Sequence, residues 1–227
     1  MVFGISDGGR AALFDDRRDA GRQLAHAARG YAVEDPVVLA LPRGGVPVGY
    51  EVAKALGAPM DLVFVRKIGA PGHPEYGIGA VVDGDPPQVV LNDVARQLGI
   101  PAAYVEEQKR RELQEIERRR RAYLGDREPL AVKGRTVIVV DDGIATGGTV
   151  RASLRALRGA EAGRLILAVP VAAADTIESL RSEADEILCL ATPEPFYAVG
   201  LYYRDFDQTS DEEVVRLLGA ALRMEQT

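Results

Sequence analysis

The sequence predicts an α/β fold of the doubly wound type, a parallel sheet with helices on both faces. Three observations support this prediction. Apolar runs with the length of buried strands recur along the chain, and segments with helical periodicity separate them. Residues 37–65 have the pattern of strand, helix and strand, and such a unit needs a crossover that makes its strands parallel. At 227 residues the chain suits one such domain, so we expect residues 1–227 to form a single unit.

The first elements follow from apolar spacing and from the turn residues between them. Residues 15–29 carry alanines and a leucine on one side and acidic residues at the start, which predicts an amphipathic helix. An apolar run at 37–41 is bounded by prolines and predicts a strand. The glycine turn after it leads into a helix at 46–56, and a second strand is predicted at 62–65.

The next segment is predicted to be irregular at first and then to form a hairpin. Residues 66–77 contain many glycines and prolines, which disfavour regular structure. Apolar triplets at 80–82 and 89–91 flank a turn, and this pattern predicts two paired strands. We therefore expect a loop that closes into a hairpin over about residues 66–92.

A long, charged helix is predicted over residues 101–124, because proline occurs only at its first position and glycine is absent. Its run of four arginines at 118–121 follows several glutamates. An ion-paired helix face is therefore favoured over a phosphate-binding patch. The remainder alternates in type: strands at 136–140, 164–169 and 186–190, helices at 148–158 and 173–182, and a last helix from about 211.

Composition and charge exclude several classes of protein. The chain has 28 basic and 34 acidic residues and a net charge of -6, so we expect no nucleic-acid partner. The single cysteine, Cys189, excludes an internal disulfide framework, and its apolar surroundings predict a buried strand residue. No apolar stretch reaches the roughly 20 residues of a membrane span, and the first ten residues lack a signal peptide's apolar segment. We therefore expect no membrane partner and a cytoplasmic location.

Two aspartates end the most apolar strand. Residues 137–140 are all valine or isoleucine, and Asp141 and Asp142 follow directly. Open α/β sheets bind ligands at the carboxyl ends of their strands. Because successive strand residues point to opposite faces, one carboxylate is expected to face ligand hydroxyls or a magnesium ion while the other orients the loop.

A loop rich in glycine and threonine follows the aspartates. Residues 143–149 supply glycines for close backbone approach, two hydroxyls and the start of the next helix. Unpaired amides at a helix start favour a phosphate, so the loop is predicted to be an anion cradle. The nucleoside-triphosphatase pattern G-x-x-x-x-G-K-[ST] nearly fits, but Thr149 stands where its lysine should be, so that interpretation loses its key cation.

The stretch VIVVDDGIATGGT, residues 137–149, resembles the signature of the type I phosphoribosyltransferases along its whole length. In that family the acidic pair holds the ribose hydroxyls of 5-phosphoribosyl-1-pyrophosphate, and the loop holds its 5-phosphate. The resemblance implies catalytic roles for Asp141 and Asp142, with Mg²⁺ at the same pair through ribose hydroxyls or water. It implies a 5-phosphate site at Ala145, Thr146, Gly147, Gly148 and Thr149.

A second stretch, LPRGGVPVGYEVAKALG at residues 41–57, resembles the pyrophosphate loop of the same family in its Arg-Gly-Gly form. The resemblance implies that Arg43, Gly44 and Gly45 contact the leaving diphosphate and that Arg43 is catalytic. Arginine supplies charged donors, and the glycines let backbone amides come close, which an unusual peptide conformation would assist.

The segment 66–92 lies where the family has a flexible lid. At its base, Arg66 and Lys67 are further candidates for diphosphate binding, with Lys67 slightly preferred. The alternative for both is solvated surface charge, which is the usual state of exposed basic side chains.

Residues 193–200, PEPFYAVG, are similar to the hood of purine-type members, in which an aromatic side chain stacks on the acceptor base. Phe196 and its neighbour Tyr197 are the candidates for base binding, and packing in the core of the hood is the equal alternative. The hood is expected to span about 190–210 together with the N-terminal segment.

The resemblance extends over nearly the whole chain, to a bacterial group known only as predicted phosphoribosyltransferases, and it implies no particular acceptor. Oxopurine members usually have an aspartate where this chain has Ala145 and a lysine where it has Val169, so the resemblance does not imply a hypoxanthine or guanine acceptor. It implies Mg²⁺-dependent transfer of phosphoribose from 5-phosphoribosyl-1-pyrophosphate to a small, nucleobase-like acceptor. A non-catalytic donor-binding regulator is the alternative, a metal-dependent phosphatase ranks third, and a homodimer is left open.

Overall fold

The computed structural model describes residues 12–84 and 87–225. The helices are α1 (Arg17–Ala28), α2 (Gly45–Leu56), α3 (Asp93–Gln97), α4 (Ala102–Leu124), α5 (Gly148–Gly159), α6 (Ala174–Leu180) and α7 (Asp211–Glu225). The strands are β1 (Val37–Ala40), β2 (Met60–Leu62), β3 (Val65–Ala70), β4 (His73–Val82), β5 (Gln88–Leu91), β6 (Thr136–Val140), β7 (Arg164–Val171) and β8 (Glu186–Ala191). Short 3₁₀ helices cover Arg29–Glu34 and Val199–Tyr202.

The central sheet has the strand order β2-β1-β6-β7-β8, and all of its neighbouring strands are parallel. Alternate residues of β6 enter two different cores. Ile138 and Val140 pack on the side of α1, α2 and α7, whereas Val137 and Val139 pack on the side of α5 and α6. Helices thus cover both faces of a parallel sheet, which confirms the predicted fold class.

A second, antiparallel sheet of β3, β4 and β5 corrects two predictions. The strand expected at 62–65 is Met60–Leu62, and the chain has left the central sheet by Val65, where β3 begins. The segment 66–77, expected to be irregular, forms most of β3 and the start of β4. Pro74 is tolerated there because β5 pairs only with residues 79–82 of β4, so this end of the strand needs no second set of amide bonds.

Helix α4 packs against β3, β4 and α7, in the position of the predicted inserted helix. The ion-paired face is present: Arg118 and Arg119 both bond Glu115, and Arg121 bonds Glu117. Arg120 differs, because its side chain is buried and its guanidinium donates to Asp83 at 2.8 Å. The helix therefore turns Arg120 inward and leaves Arg118 and Arg121 exposed.

An aromatic cluster joins the N-terminal segment to the chain after β8, in the region predicted to form the hood, and we keep that name for it. Phe14 lies 5.2 Å from Tyr203, and Tyr203 lies 4.9 Å from Phe206, between ring centroids. Residues 1–11, which include the start assessed for a signal peptide, lie outside the described residues. Cys189 is fully buried in β8, as expected. Within residues 12–84 and 87–225, no helix is both long and apolar enough to span a bilayer.

Candidate active site

The Arg-Gly-Gly loop and the acidic pair, predicted separately, lie against each other. A Cβ atom on Gly44 would lie 2.0 Å from Oδ2 of Asp142, and one on Gly45 would lie 2.7 Å from the carbonyl oxygen of Val140. Real Cβ atoms do not approach so closely, so only glycine fits at these two positions. The glycines of the predicted diphosphate loop are needed to seat it on the acidic strand end.

The two aspartates have different neighbours, although their carboxyl groups also interact with each other. Asp142 points to the side of α1, where its Oδ2 accepts a hydrogen bond from Nε of Arg17 at 2.8 Å. Asp141 lines a cavity that also contains Thr149 of α5. Its Oδ1 accepts the backbone N–H of Asp142 at 2.9 Å.

Arg17 is held from three directions. Besides its bond to Asp142, its guanidinium lies 3.8 Å from the centroid of the Phe206 ring and donates to the carbonyl oxygen of Asp207 at 2.6 Å. Only 12% of the Arg17 side chain and 15% of the Asp142 side chain are exposed. This ion pair is therefore largely shielded from water, which strengthens it.

The environment disfavours a doubly charged acidic pair. Burial raises the pKa of Asp141 well above its usual range, and the neighbouring Asp142 carboxylate adds to the effect. Burial also raises the pKa of Asp142, while Arg17 acts in the opposite direction. An added cation, or hydroxyl donors from a ligand, would stabilise the ionised pair.

The predicted anion cradle lies at the start of α5. Gly147, at φ 72°, is the residue before the helix, and a Cβ there would lie 2.8 Å from the Thr176 methyl carbon. The Thr176 hydroxyl donates to the carbonyl oxygen of Ala145 at 2.6 Å and so fixes the loop from α6. Ala145, Thr146 and Gly148 are exposed, so the first amides of α5 open to solvent where an anion can reach them.

Arg43 lies at the junction of three elements. Its Nη1 is 3.3 Å from Oδ1 of Asp211 at the start of α7, and the Tyr123 hydroxyl of α4 donates to the same oxygen at 2.7 Å. The peptide bond between Pro42 and Arg43 is cis. The hydrogen bond from Tyr123, followed by Arg43, lowers the pKa of Asp211. Asp211 therefore stays ionised and holds the Arg43 guanidinium at the start of α7.

A cavity of about 220 Å³ lies beside Asp141. Its lining includes Asp141, Thr149 and Pro42, together with Arg66 and Arg119. Lys67, preferred over Arg66 in the sequence, is exposed and follows Arg66 along β3, so strand alternation turns it to the other face. The structure therefore favours Arg66 of these two candidates.

The hood candidates have different surroundings. The Phe196 ring packs 5.2 Å from the Tyr202 ring in the hood cluster, whereas the Tyr197 side chain is 67% exposed. Phe196 thus has the core role that was the equal alternative, and base binding by either residue stays a prediction.

Sequence reasoning missed two arginines of the site, Arg17 and Arg119. Arg17 was assigned only to the start of an amphipathic helix, and its partner Asp142 lies 125 positions away. Arg119 was assigned, with the other arginines of its run, to the ion-paired face of α4. Arginine patterns within one helix reveal pairs at helical spacing, but no local signal identifies which arginine faces another element.

Comparison with known proteins was consistent with this geometry. Residues 88–205 match the phosphoribosyl transferase domain family. Two curated proteins of Mycobacterium tuberculosis strains CDC 1551 and H37Rv, each named "Putative phosphoribosyl transferase", are 46% identical over 211 residues, which cover 93% of this chain and 47% of theirs. The chain thus spans about half the length of these relatives.

Among solved structures, the crystal structure of TT1426 from Thermus thermophilus is 43% identical, covers 90% of this chain and 97% of its own, and superposes with a TM-score of 0.79. The family match begins after the Arg-Gly-Gly loop, so that loop is supported by its contact with the acidic pair rather than by the matched range. The match covers more than half of the chain and confirms the resemblance seen in the sequence: this chain belongs to the phosphoribosyl transferase domain family.

Proposed function

We propose that this protein binds 5-phosphoribosyl-1-pyrophosphate with Mg²⁺ and transfers its phosphoribosyl group to a nucleobase-like heterocycle, releasing pyrophosphate. The observation that carries this proposal is the contact of the Arg-Gly-Gly loop with the acidic pair, where Gly44 fits against Asp142 with no room for a Cβ atom. Two loops with affinity for phosphate and for hydroxyls meet there at the carboxyl edge of one sheet.

The parts of the donor fit three neighbouring groups. Its 5-phosphate would bind the exposed loop 145–149 at the start of α5, where helix amides favour an anion. The ribose hydroxyls would donate to Asp141 and Asp142, which lie between the loops. The diphosphate would enter the cavity beside Pro42, where arginine donors match phosphate oxygens.

The residues present fit Mg²⁺ as a shared ion. No group of three or more acidic, histidine or cysteine side chains that could hold a metal occurs within the part of the chain described. Mg²⁺ commonly uses one or two carboxylates and completes its shell with substrate phosphates and water. Asp141 and Asp142 would hold it in this way, and when bound it would neutralise charge on the diphosphate.

The protein's own residues would act mainly by electrostatics and positioning. A ring nitrogen of the acceptor attacks C1 of the ribose, the bond from C1 to the diphosphate oxygen breaks, and that oxygen keeps the electron pair. The acceptor nitrogen loses its proton. Arg43, oriented by Asp211, would stabilise the departing diphosphate, and the acidic pair would stabilise positive charge on the ribose.

Calorimetry tests the proposal with the donor added in the presence and absence of Mg²⁺, followed by pyrophosphate release in the presence of pooled nucleobases. We expect micromolar, Mg²⁺-dependent binding and release with one pool, which names the acceptor class. Arg43→Ala should weaken binding of both donor and pyrophosphate by about tenfold or more, because a charged hydrogen bond is lost.

The matched control is Arg216→Ala, which removes an exposed ion pair to Glu213 on α7 and should bind the donor normally. Donor binding without pyrophosphate release from any pool would favour the regulatory alternative. Phosphate release without an acceptor would favour a phosphatase. Failure of the wild-type protein to bind the donor would reject the proposal.

A further inference from the structure

The C-terminal part of α4 forms one wall of the cavity at the acidic strand end. Arg119 of this helix lines the cavity with Arg66 of β3, and Asp141 and Thr149 lie on the same lining. The side chains of Arg66 and Arg119 are 36% and 37% exposed, so both are accessible to a ligand. Helix α4 has no role in the function proposed above.

Both guanidinium groups are held by glutamates of α4. Nε of Arg119 bonds Glu115 at 2.8 Å, and Nε of Arg66 bonds Glu112 at 2.8 Å. The glutamates are not part of the cavity lining. A bond through Nε does not use the terminal amino groups, which carry the remaining donors of each guanidinium. Each arginine is thus oriented by a carboxylate behind it while donors remain for a ligand.

Arg43 lies next to the cavity. It follows the lining residue Pro42, and its guanidinium bonds Oδ1 of Asp211 at 3.3 Å. The Tyr123 hydroxyl, one helical turn after Arg119 on α4, donates to the same oxygen. Arg43 is therefore linked through Asp211 to the end of α4 that carries Arg119, and Arg66 lines the same cavity as Arg119.

We propose that Arg119, carried by the inserted helix α4, binds the diphosphate of the donor together with Arg43 and Arg66. This inference rests on the proposed function and extends it to a residue outside the recognised motifs. A diphosphate carries several negative charges, and arginines on three separate elements can bind oxygens of both phosphates. Helix α4 then has a role in the site, as the element that brings a cation to the end of the cavity.

A comparison of two adjacent arginines tests this inference. Arg118 also bonds Glu115, at 2.8 and 2.9 Å, but its side chain is 68% exposed and it does not line the cavity. Each variant removes one positive charge and the bonding to the same glutamate: one bond in Arg119→Gln and two in Arg118→Gln. Only Arg119→Gln changes a residue that lines the cavity. Comparing the two variants therefore separates direct binding of the ligand from the general effect of losing a positive charge.

Calorimetry with inorganic pyrophosphate, with the donor and with ribose 5-phosphate, all in Mg²⁺, provides the measurement. We expect Arg119→Gln to weaken binding of pyrophosphate and donor by about tenfold or more, and to leave ribose 5-phosphate, which lacks the diphosphate, unchanged. Arg118→Gln should match the wild-type protein for all three ligands. Circular dichroism and thermal unfolding confirm that each variant is folded.

The outcomes separate this inference from the proposed function. If the wild-type protein binds the donor and Arg119→Gln binds it as tightly as Arg118→Gln, the role of Arg119 is rejected and the function stands. If pyrophosphate binding depends on Arg119 but the donor does not bind, the diphosphate site stands and the proposed function is rejected. If the wild-type protein binds neither ligand, both are rejected.

Discussion

Asp141 and Asp142 are adjacent in sequence, but their surroundings differ. Asp142 faces the hood, where Arg17 bonds it and stacks on Phe206, and little of the pair is exposed. Asp141 faces a cavity of about 220 Å³ whose arginines are partly exposed. One carboxylate is thus already paired with an arginine, and the other lies on the wall of a cavity.

This difference indicates which half of the site is formed before a ligand binds. The donor side has an open cavity, oriented cations and an exposed phosphate loop. On the hood side, Oδ2 of Asp142 is engaged by Arg17, so a ribose hydroxyl must use Oδ1, share Oδ2 or displace the arginine. We therefore expect substitutions of the two aspartates to affect stability differently, even though both should reduce turnover.

The largest effect is expected for Asp141→Asn. Turnover, measured as pyrophosphate release, should fall by about a hundredfold or more, because a preorganised charge at the reacting ribose is lost. Stability should rise, with Tm higher by about 2–4 °C for a gain of roughly 1 kcal/mol. The reason is that burial and Asp142 penalise the Asp141 carboxylate, whereas asparagine carries no charge and still accepts the Asp142 amide.

The pH dependence of this gain has a defined sign. The pKa of Asp141 is raised in the folded protein, so its contribution to stability is fully present below the unfolded pKa and is lost as pH rises through the folded pKa. The stability advantage of Asp141→Asn should therefore be large at neutral pH and disappear below about pH 4. Asp142→Asn is the comparison: burial raises the pKa of this carboxyl as well, but the change also leaves Arg17 without its carboxylate, so the gain in Tm should be smaller than for Asp141→Asn. Unchanged turnover, or a lower Tm, for Asp141→Asn would contradict this interpretation.

The sequence predicted that the two aspartates follow a buried strand, as they do after β6, but not which groups lie opposite each one. Local periodicity located the strands of the central sheet to within a few residues. By contrast, β3 and the start of β4 were missed because antiparallel pairing, not apolar spacing, determines a strand rich in glycine and proline. Arg17 and Arg119 were missed because their roles depend on contacts between distant elements.

A smaller effect is expected for Arg17→Gln, which removes the hydrogen bond between the hood side and Asp142. The free energy of unfolding should fall by about 1.5–3 kcal/mol, because a shielded, charged hydrogen bond to Asp142 is lost. Arg17 opposes the rise in the pKa of Asp142, so its removal should raise that pKa further. The acid side of the pH–turnover profile should then move to higher pH.

Urea unfolding and the pH–turnover profile measure these two effects. Arg22→Gln is the control, since Arg22 lies on the same helix and forms an exposed pair with Asp19. It should change neither quantity appreciably. In a double-mutant cycle, Arg17→Gln and Asp142→Asn should be non-additive, because each removes the same bond. Additive losses would show that the pair does not couple the hood to the acidic strand end.

The smallest effect is expected for Tyr203→Phe, which tests how the hood is attached. The buried Tyr203 hydroxyl donates to the carbonyl oxygen of Asp142 at 2.5 Å, and burial raises the pKa of Tyr203, so the group stays a donor. Loss of this bond should lower the free energy of unfolding by about 0.5–1.5 kcal/mol. Donor binding should be unchanged, because both carboxylates keep their own partners.

Tyr202→Phe provides the control, since its more exposed hydroxyl donates to the carbonyl oxygen of Pro195 within the hood at 3.2 Å. Urea unfolding should show a smaller loss for this variant than for Tyr203→Phe. If the two variants lost the same free energy of unfolding, the bond from Tyr203 to Asp142 would stabilise the protein no more than a bond within the hood. If Tyr203→Phe instead weakened donor binding, the hydroxyl would be positioning Asp142 itself, and the hood side would belong to the donor site as directly as the cavity side does.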